Sequence, residues 1–147
     1  MRLSSDLREF LESLNSRDID YVIVGAHSLA FHGRPRYTGD LDILVRSTSE
    51  NAAKLVDLLN QFGFAESGFK ESDFTASERM IQLGRPPNRI DLLTSISGVT
   101  ADHAFATRIS AQLDGIPVFV LSKDALIQNK RAFGRPQDLA DLDTLGD

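Results

Sequence analysis

The 147-residue sequence contains no cysteine. Disulfide bonds, thiolate metal sites and cysteine nucleophiles are therefore excluded, while the redox compartment stays open. Long apolar runs are absent as well, since no segment approaches the ~18 residues that a membrane-spanning helix needs. The first residues also lack an apolar core of signal-peptide length. We therefore expect a soluble, cytoplasmic protein with no membrane partner.

Basic residues are also scarce, since 16 lysines and arginines stand against 21 aspartates and glutamates. The net charge of −5 argues against a broad nucleic-acid surface, because such surfaces are usually basic. A small anionic ligand remains compatible with this charge, since bound metal ions would supply positive charge locally. The length favours a single domain over residues 1–147, which would bury roughly 70% of the surface that the unfolded chain exposes.

The spacing of apolar residues predicts helices that alternate with short strands. Helices are predicted at 5–15, 26–32, 49–61, 122–132 and 137–145, and strands at 21–24, 41–45, 79–83, 89–93, 108–113 and 116–120. Asp114-Gly115 is the strongest short hairpin signal in the chain. Segment 64–73 mixes glycine, charge and aromatics, and could form a strand followed by a loop. The order predicts an α/β (α+β) fold, in which helices flank a mixed sheet and further helices form the C-terminus.

Two aspartates stand at the entrance of the strand predicted at 41–45. Side chains two residues apart on a strand share a face, so Asp40 and Asp42 point the same way while Leu41 points into the core. Two nearby carboxylates repel each other unless a cation lies between them. Mg²⁺ suits such a site, because it prefers oxygen ligands and is often completed by substrate phosphates. The alternative is a pair of solvated aspartates, since this short pattern alone is a weak signal.

A third aspartate, Asp91, lies inside the apolar strand predicted at 89–93. Aspartate is depleted in strands and is rarely buried without a partner. The economical explanation is that Asp91 joins Asp40 and Asp42 around a metal ion. The sequence therefore predicts a metal-binding triad of carboxylates.

Longer motifs surround these aspartates. Residues 25–28 read GAHS and residues 36–42 read RYTGDLD, which resembles the first motif of the nucleotidyltransferase superfamily. The arginine and threonine before the aspartates are similar to the branch that contains the AbiEii/AbiGii-type toxins and their small relatives. Residues 121–130 and 134–142 resemble the paired C-terminal helices of the same branch. Together these motifs extend over nearly the whole chain.

The resemblance implies a metal-dependent enzyme that transfers an NMP from an NTP to a hydroxyl group of tRNA, a protein or a small molecule. In such enzymes two ions, Mg²⁺ or Mn²⁺, hold the attacking and leaving oxygens. Asp40 and Asp42 would bind both ions, and Asp91 would bind the ion that activates the acceptor hydroxyl and could take its proton. The branch also implies a toxin–antitoxin or phage-defence role, with an antitoxin partner.

The same resemblance implies a nucleotide-binding set, which consists of Gly25, Ala26, His27, Arg36, Thr38, Lys130 and Arg135. The first two would present backbone N–H groups at a helix N-terminus, where phosphate binds readily. Several members have structural alternatives. Arg36 could be a solvated loop residue, and Thr38 could serve turn chemistry. Arg135 could pair with Asp138 within the last helix.

Two departures from the family pattern favour a second hypothesis, a catalytically weak or inactive nucleotide-binding module on the same fold. Ala26 stands where the superfamily usually has glycine or serine, so a hydroxyl group and some room near the phosphate are lost. The chain is also much shorter than the toxins and leaves no room for a large second domain. A second copy of the chain could close the active site, which would make the protein a homo-oligomer.

Overall fold

The computed structural model describes residues 3–33, 40–85 and 89–146. The α-helices are α1 (Ser5–Ser16), α2 (Gly25–His32), α3 (Ser49–Leu59), α4 (Ser72–Thr75), α5 (Ala101–Thr107), α6 (Lys123–Phe133) and α7 (Pro136–Leu145). The strands are β1 (Tyr21–Val24), β2 (Leu41–Val45), β3 (Met80–Leu83), β4 (Ile90–Leu93), β5 (Ile109–Leu113) and β6 (Ile116–Val120). Across the described ranges, no helix combines the length and apolar content needed to cross a membrane.

The strands form a six-stranded mixed sheet in the order β3-β4-β2-β1-β6-β5. β1 is antiparallel to β2 and parallel to β6, whereas β2 is parallel to β4. The edge strands β3 and β5 are antiparallel to their neighbours. The predicted α/β fold, a mixed sheet flanked by helices, is thus confirmed. The order places β2 between β1 and β4, which brings together three segments that are far apart in the sequence.

Apolar side chains cover both faces of the sheet. One face packs against α1 and α3, which contribute Phe10 and Leu55. The other face packs against α2, α5 and α6, which contribute Leu29, Phe105 and Leu126. All four residues of β1 are buried. A strand that is covered on both sides reads as a continuous apolar run, which explains why its sequence is YVIV.

Serine or threonine residues are the N-caps of four helices. Ser4, Thr48, Thr100 and Ser122 each accept a hydrogen bond from a backbone N–H in the first turn of α1, α3, α5 and α6. Such caps satisfy donors that the helix itself leaves unpaired. The sequence prediction missed α5, because a seven-residue helix with two buried side chains is too short for a periodic apolar signal.

The segment predicted as a strand followed by a loop is helical instead. The chain kinks after α3 at Gly63, whose φ of +107° is not helical, and a 3₁₀ turn over Ala65–Ser67 and then α4 follow. The aromatic residues that suggested a strand pack separately onto the core. Phe64 and Phe69 both pack against the core, and the ring of Phe69 lies beside that of Phe74, with centroids 6.3 Å apart. The prediction was wrong because these tertiary contacts, and not pairing with another strand, determine the local structure.

The loop after β4 packs closely on α6 at Gly98, whose φ is +76°. A Cβ atom there would lie 2.5 Å from the Cβ of Ala132 and 2.9 Å from the carbonyl oxygen of Gln128. We expect Gly98→Ala to lower the free energy of unfolding by about 1–3 kcal/mol more than Gly68→Ala does, because overpacking adds to the strain of a positive φ. Urea unfolding of both variants measures the difference.

Gly68 is the matched control for that comparison. Its φ of +70° imposes similar backbone strain on alanine, yet a Cβ atom there meets nothing within 4 Å. Equal losses in the two variants would mean that α6 moves aside easily, and would contradict the close packing.

Candidate active site

Two carboxylates lie side by side in the middle of the sheet. Asp42 is the second residue of β2 and Asp91 the second residue of β4, and the parallel register pairs them directly. The antiparallel strand β1 places Val24 on the other side of Asp42. Residues that are paired across adjacent strands have side chains on the same face of the sheet. The structure therefore brings together two of the three predicted carboxylates, and Asp91 is only 5% exposed.

The environment of the pair favours a bound proton or a bound cation. The pKa of Asp42 is raised from 3.8 to about 6, chiefly by burial and then by the charge of Asp91 and a hydrogen bond with it. Asp40 adds a smaller effect in the same direction, and the positive charge of Arg89 acts against it. Two adjacent buried carboxylates ionise together only at a considerable electrostatic cost, unless a cation joins them.

Gly25 leaves the space that Asp42 occupies. Its φ is +67°, and a Cβ atom at this position would lie 2.2 Å from Oδ2 of Asp42. Any other residue would therefore meet both backbone strain and a direct clash. The glycine that the sequence analysis assigned to phosphate binding thus has a second role, which is to let the turn from β1 into α2 pass over the carboxylate.

Arg89, which the sequence analysis missed, connects Asp91 to Asp40. Its Nη2 atom lies 3.2 Å from Oδ2 of Asp40 and 3.2 Å from Oδ2 of Asp91, and its Nε atom lies 3.0 Å from Oδ1 of Asp91. The backbone of Arg89 also meets the start of β2, since the N–H of Leu41 donates to the carbonyl of Arg89. The spacing in the sequence could have predicted this contact, because residues 89 and 91 are two apart on a strand and share a face.

The three aspartates do not converge on one metal-binding position. In the parts of the chain that the structure describes, no group of three or more histidine, cysteine, aspartate or glutamate residues is arranged to hold a metal ion. Asp42 faces Asp91 directly, whereas Asp40 is linked to Asp91 through the guanidinium of Arg89. Asp91 is therefore the carboxylate that contacts both Asp42 and Arg89.

A cavity of about 570 Å³ opens beside the carboxylate pair. Gly25, Asp42, Asp91 and residues 78–80 belong to its lining. The lining also includes Ile96 from the loop after β4, Asn129, Lys130 and Phe133 from α6, and Arg135 at the start of α7. The cavity is large enough for a nucleotide or a drug-sized molecule, since such pockets commonly measure roughly 300–1,000 Å³.

Lys130 and Arg135, the two cations predicted to bind nucleotide, line this cavity, but both form ion pairs with aspartates of α7. The Nζ atom of buried Lys130 lies 3.0 Å from Oδ2 of Asp141 and 3.4 Å from Oδ1 of Asp138. At the start of α7, the carboxylate of Asp138 accepts hydrogen bonds from the backbone N–H and the guanidinium of Arg135, which is the alternative that its spacing left open. The hydrogen bond from Arg135 lowers the pKa of Asp138 despite burial.

The remaining predicted residues lie on or near α2. This helix begins at Gly25 without a side-chain cap, so its first N–H groups, including that of Ala26, have no partner at the cap residue. His27 is buried. Burial lowers the pKa of its imidazole, although the backbone and the charge of Asp40 act in the opposite direction. Arg36 and Thr38 lie outside the described residues.

Solved structures with similar folds are nucleotidyltransferases. The lincosamide antibiotic adenylyltransferase LnuA, with lincomycin bound, has a TM-score of 0.62 and 14% identity, over 100% of this chain and 99% of that chain. A candidate nucleotidyltransferase from Thermotoga maritima has a TM-score of 0.59 and 19% identity, over 93% and 88%. ANT(2'')-Ia in complex with adenylyl-2''-tobramycin has a TM-score of 0.56 and 13% identity, over 95% and 83%. At these identities the likeness shows a shared fold.

The sequence also matches a defined family. The profile of the aminoglycoside-2''-adenylyltransferases matches residues 6–143. No curated protein sequence matches the chain. The prediction of a nucleotidyltransferase-type enzyme is confirmed at the level of the superfamily, by a profile that covers most of the chain and by the shared fold. The chain therefore belongs to the aminoglycoside-2''-adenylyltransferase family of nucleotidyltransferases.

Proposed function

We propose that this protein is a metal-dependent adenylyltransferase that moves AMP from ATP to a hydroxyl group of an amine-bearing small molecule. The observation that carries the proposal is the in-register pair of Asp42 and Asp91, both of which line the cavity. The family match supports the reaction class. Two neighbours of the same fold contain lincomycin and adenylyl-2''-tobramycin, which supports a small-molecule acceptor.

The carboxylate pair fits a Mg²⁺ or Mn²⁺ ion. Both ions prefer carboxylate oxygens, and the pKa of Asp42 is raised by burial and then by the charge of Asp91, a repulsion that a cation would relieve. The buried Oδ1 atom of Asp91 has no hydrogen-bond partner in the described structure. Asp42 and Asp91 would hold the ion, and Asp40 would complete the ligand set. When bound, the metal would polarise the reacting phosphate and offset its negative charge.

The protein's own groups would bind and orient the nucleotide. The uncapped start of α2, at Gly25 and Ala26, offers backbone N–H groups to a phosphate. Lys130 and Arg135 line the cavity as hydrogen-bond donors, but their charges are already balanced by aspartates of α7. We therefore assign them to shaping the site and not to neutralising the triphosphate. The nucleotide roles of His27, Arg36 and Thr38 remain predictions.

The charge distribution around the cavity favours a cationic acceptor. Each basic side chain of its lining pairs with an aspartate outside the lining: Arg79 with Asp73, Lys130 with Asp138 and Asp141, and Arg135 with Asp138. Among the described residues, the lining also contains three acidic side chains, of which Asp42 and Asp91 would face the metal. The third, Glu78, has no ion-pair partner among the described residues. An amine of the acceptor would complement Glu78.

A second candidate function is a nucleotide-binding module without turnover. Ala26 favours it, because alanine lacks the hydroxyl group that serine would offer to a phosphate. Such a module would bind ATP with Mg²⁺ in calorimetry and transfer nothing.

The finer expectations from the sequence also remain predictions. They comprise the AbiEii/AbiGii-type branch, a toxin–antitoxin or phage-defence role, an antitoxin partner, a tRNA or protein acceptor, a homo-oligomer and a cytoplasmic location. Among the possible acceptors, the family match favours the small molecule.

Replacing Asp42 tests the proposed reaction. Wild type, incubated with ATP, Mg²⁺ and amine-bearing polyhydroxylated compounds, should yield products whose mass increases by one AMP unit. We expect Asp42→Asn to lower kcat/KM by more than about 100-fold, because even the outer partners of metal ligands contribute 10–100-fold. Asp57→Asn, at an exposed position on α3, is the matched control and should retain activity. Unaltered transfer by Asp42→Asn would refute the assigned site, whereas ATP binding without transfer by wild type would favour the module.

The titration of Asp42 should make the metal-free protein less stable as the pH rises. Because its pKa is higher in the folded than in the unfolded state, its contribution is fully present below about 3.8 and is lost as the pH rises through about 6. We expect a loss on the order of 1–2 kcal/mol, after allowance for solvent at this partly exposed carboxylate. Asp42→Asn should lack this component. Urea unfolding with a chelator, from acid to neutral pH, measures the difference between the two proteins, and identical profiles would contradict the raised pKa.

Removing the charge of Glu78 tests the nature of the acceptor. We expect Glu78→Gln to raise the KM for a cationic acceptor by about 3–10-fold with little change in kcat, because a partly exposed ion pair contributes roughly 1 kcal/mol. The KM for ATP should not change. Glu66→Gln removes the same charge from the 3₁₀ turn over Ala65–Ser67 and serves as the control. An unchanged KM for the acceptor in Glu78→Gln would argue against the proposed charge complementarity.

A further inference from the structure

Arg89 contacts two members of the predicted metal-binding triad at once. Both oxygens of Asp91 face its guanidinium, at 3.0 Å and 3.2 Å, and Oδ2 of Asp40 lies 3.2 Å from the same Nη2 atom. The facing carboxylate of Asp42 is close enough for the positive charge of Arg89 to lower its pKa. The guanidinium thus lies where positive charge is most strongly favoured, among three carboxylates. The proposed reaction gives this arginine no role.

We propose that Arg89 is a built-in counter-ion that competes with the divalent metal for Asp40 and Asp91 and thereby sets the affinity of the metal site. The inference rests on the proposed metal-dependent function. A guanidinium and a divalent cation repel each other and cannot both lie against the same carboxylate oxygens. Each metal contact with Asp91 must therefore weaken or displace a contact of Arg89.

The structure makes this contact exchangeable. The Arg89 side chain is 30% exposed, so its guanidinium can turn towards solvent without becoming buried elsewhere. The contact between Nε of Arg89 and Oδ1 of Asp91 is close but poorly aligned for a hydrogen bond. Neither of these two atoms is hydrogen-bonded in the described structure. Lys130 offers a contrast, because its side chain is only 8% exposed and lies between two aspartates. A cation held in that way has no comparable route to solvent.

The arrangement predicts two effects of opposite sign when the charge is removed. Without metal, Arg89 offsets the repulsion that would otherwise push Asp91 away from Asp40 and Asp42, so its loss should destabilise the protein. With metal, Arg89 is a competitor, so its loss should tighten binding. A residue with a merely structural role would show the first effect without the second.

Mn²⁺ binding to Arg89→Gln tests the inference without any substrate. We expect calorimetry to give a Kd for Mn²⁺ that is lower than that of wild type by on the order of tenfold, because a nearby positive charge is gone. The metal-free Tm should fall, and the rise in Tm on adding Mn²⁺ should be larger than in wild type. Arg17→Gln removes the same charge from the pair with Asp57 and should leave the Kd unchanged.

Equal or weaker Mn²⁺ binding by Arg89→Gln would overturn the inference while leaving the proposed function intact, provided that wild type binds the metal. Absence of Mn²⁺ binding in both proteins would overturn the metal-dependent function together with the inference. Arg89→Lys provides a second test if Arg89→Gln does not fold. It keeps the charge but loses the fork that reaches two carboxylates, so its Kd should lie between those of wild type and Arg89→Gln.

Discussion

Repulsion between two carboxylates, held side by side by the register of β2 and β4, is the constraint that organises the site. Asp42 and Asp91 are neighbours because the backbone pairs them, and no side-chain rearrangement can move them far apart. Two neighbouring residues accommodate the pair. Gly25 has no side chain and so leaves room for the carboxylate of Asp42, and the positive charge of Arg89 lies next to the carboxylate of Asp91. A site with this electrostatic need is suited to a divalent cation.

A second set of charges determines what the cavity offers to a ligand. Asp138 and Asp141 on α7 form ion pairs with Lys130 on α6 and so link the two helices, and Asp138 also pairs with Arg135 at the start of α7. A buried ion pair contributes little net stability, but breaking one leaves an uncompensated charge at a cost of about 3–5 kcal/mol. The pairing also leaves the cavity with little net positive charge. The metal would then have to supply most of the attraction for a triphosphate.

Much of the fold could be predicted from local pattern. The hairpin is an example, since Asp114 and Gly115 both have positive φ, as a tight turn between β5 and β6 requires. The apolar strands and the long helices follow from the same kind of signal. The prediction failed at α5, which is short, and at residues 64–73. The aromatic side chains of that segment pack against the core but are not spaced in a periodic pattern. In both places tertiary contacts outweigh local preference.

The sequence by itself determined that Asp40 and Asp42 share a strand entrance, that Asp91 lies in an apolar strand and that Gly25 precedes a helix. These are local facts, since they depend on spacing and on residue type. Only the tertiary structure decided that Asp42 pairs with Asp91, that Arg89 reaches Asp40 across 49 positions of the chain and that α7 captures Lys130. Strand order and helix packing produce these contacts, and neither can be read from residue spacing along one segment.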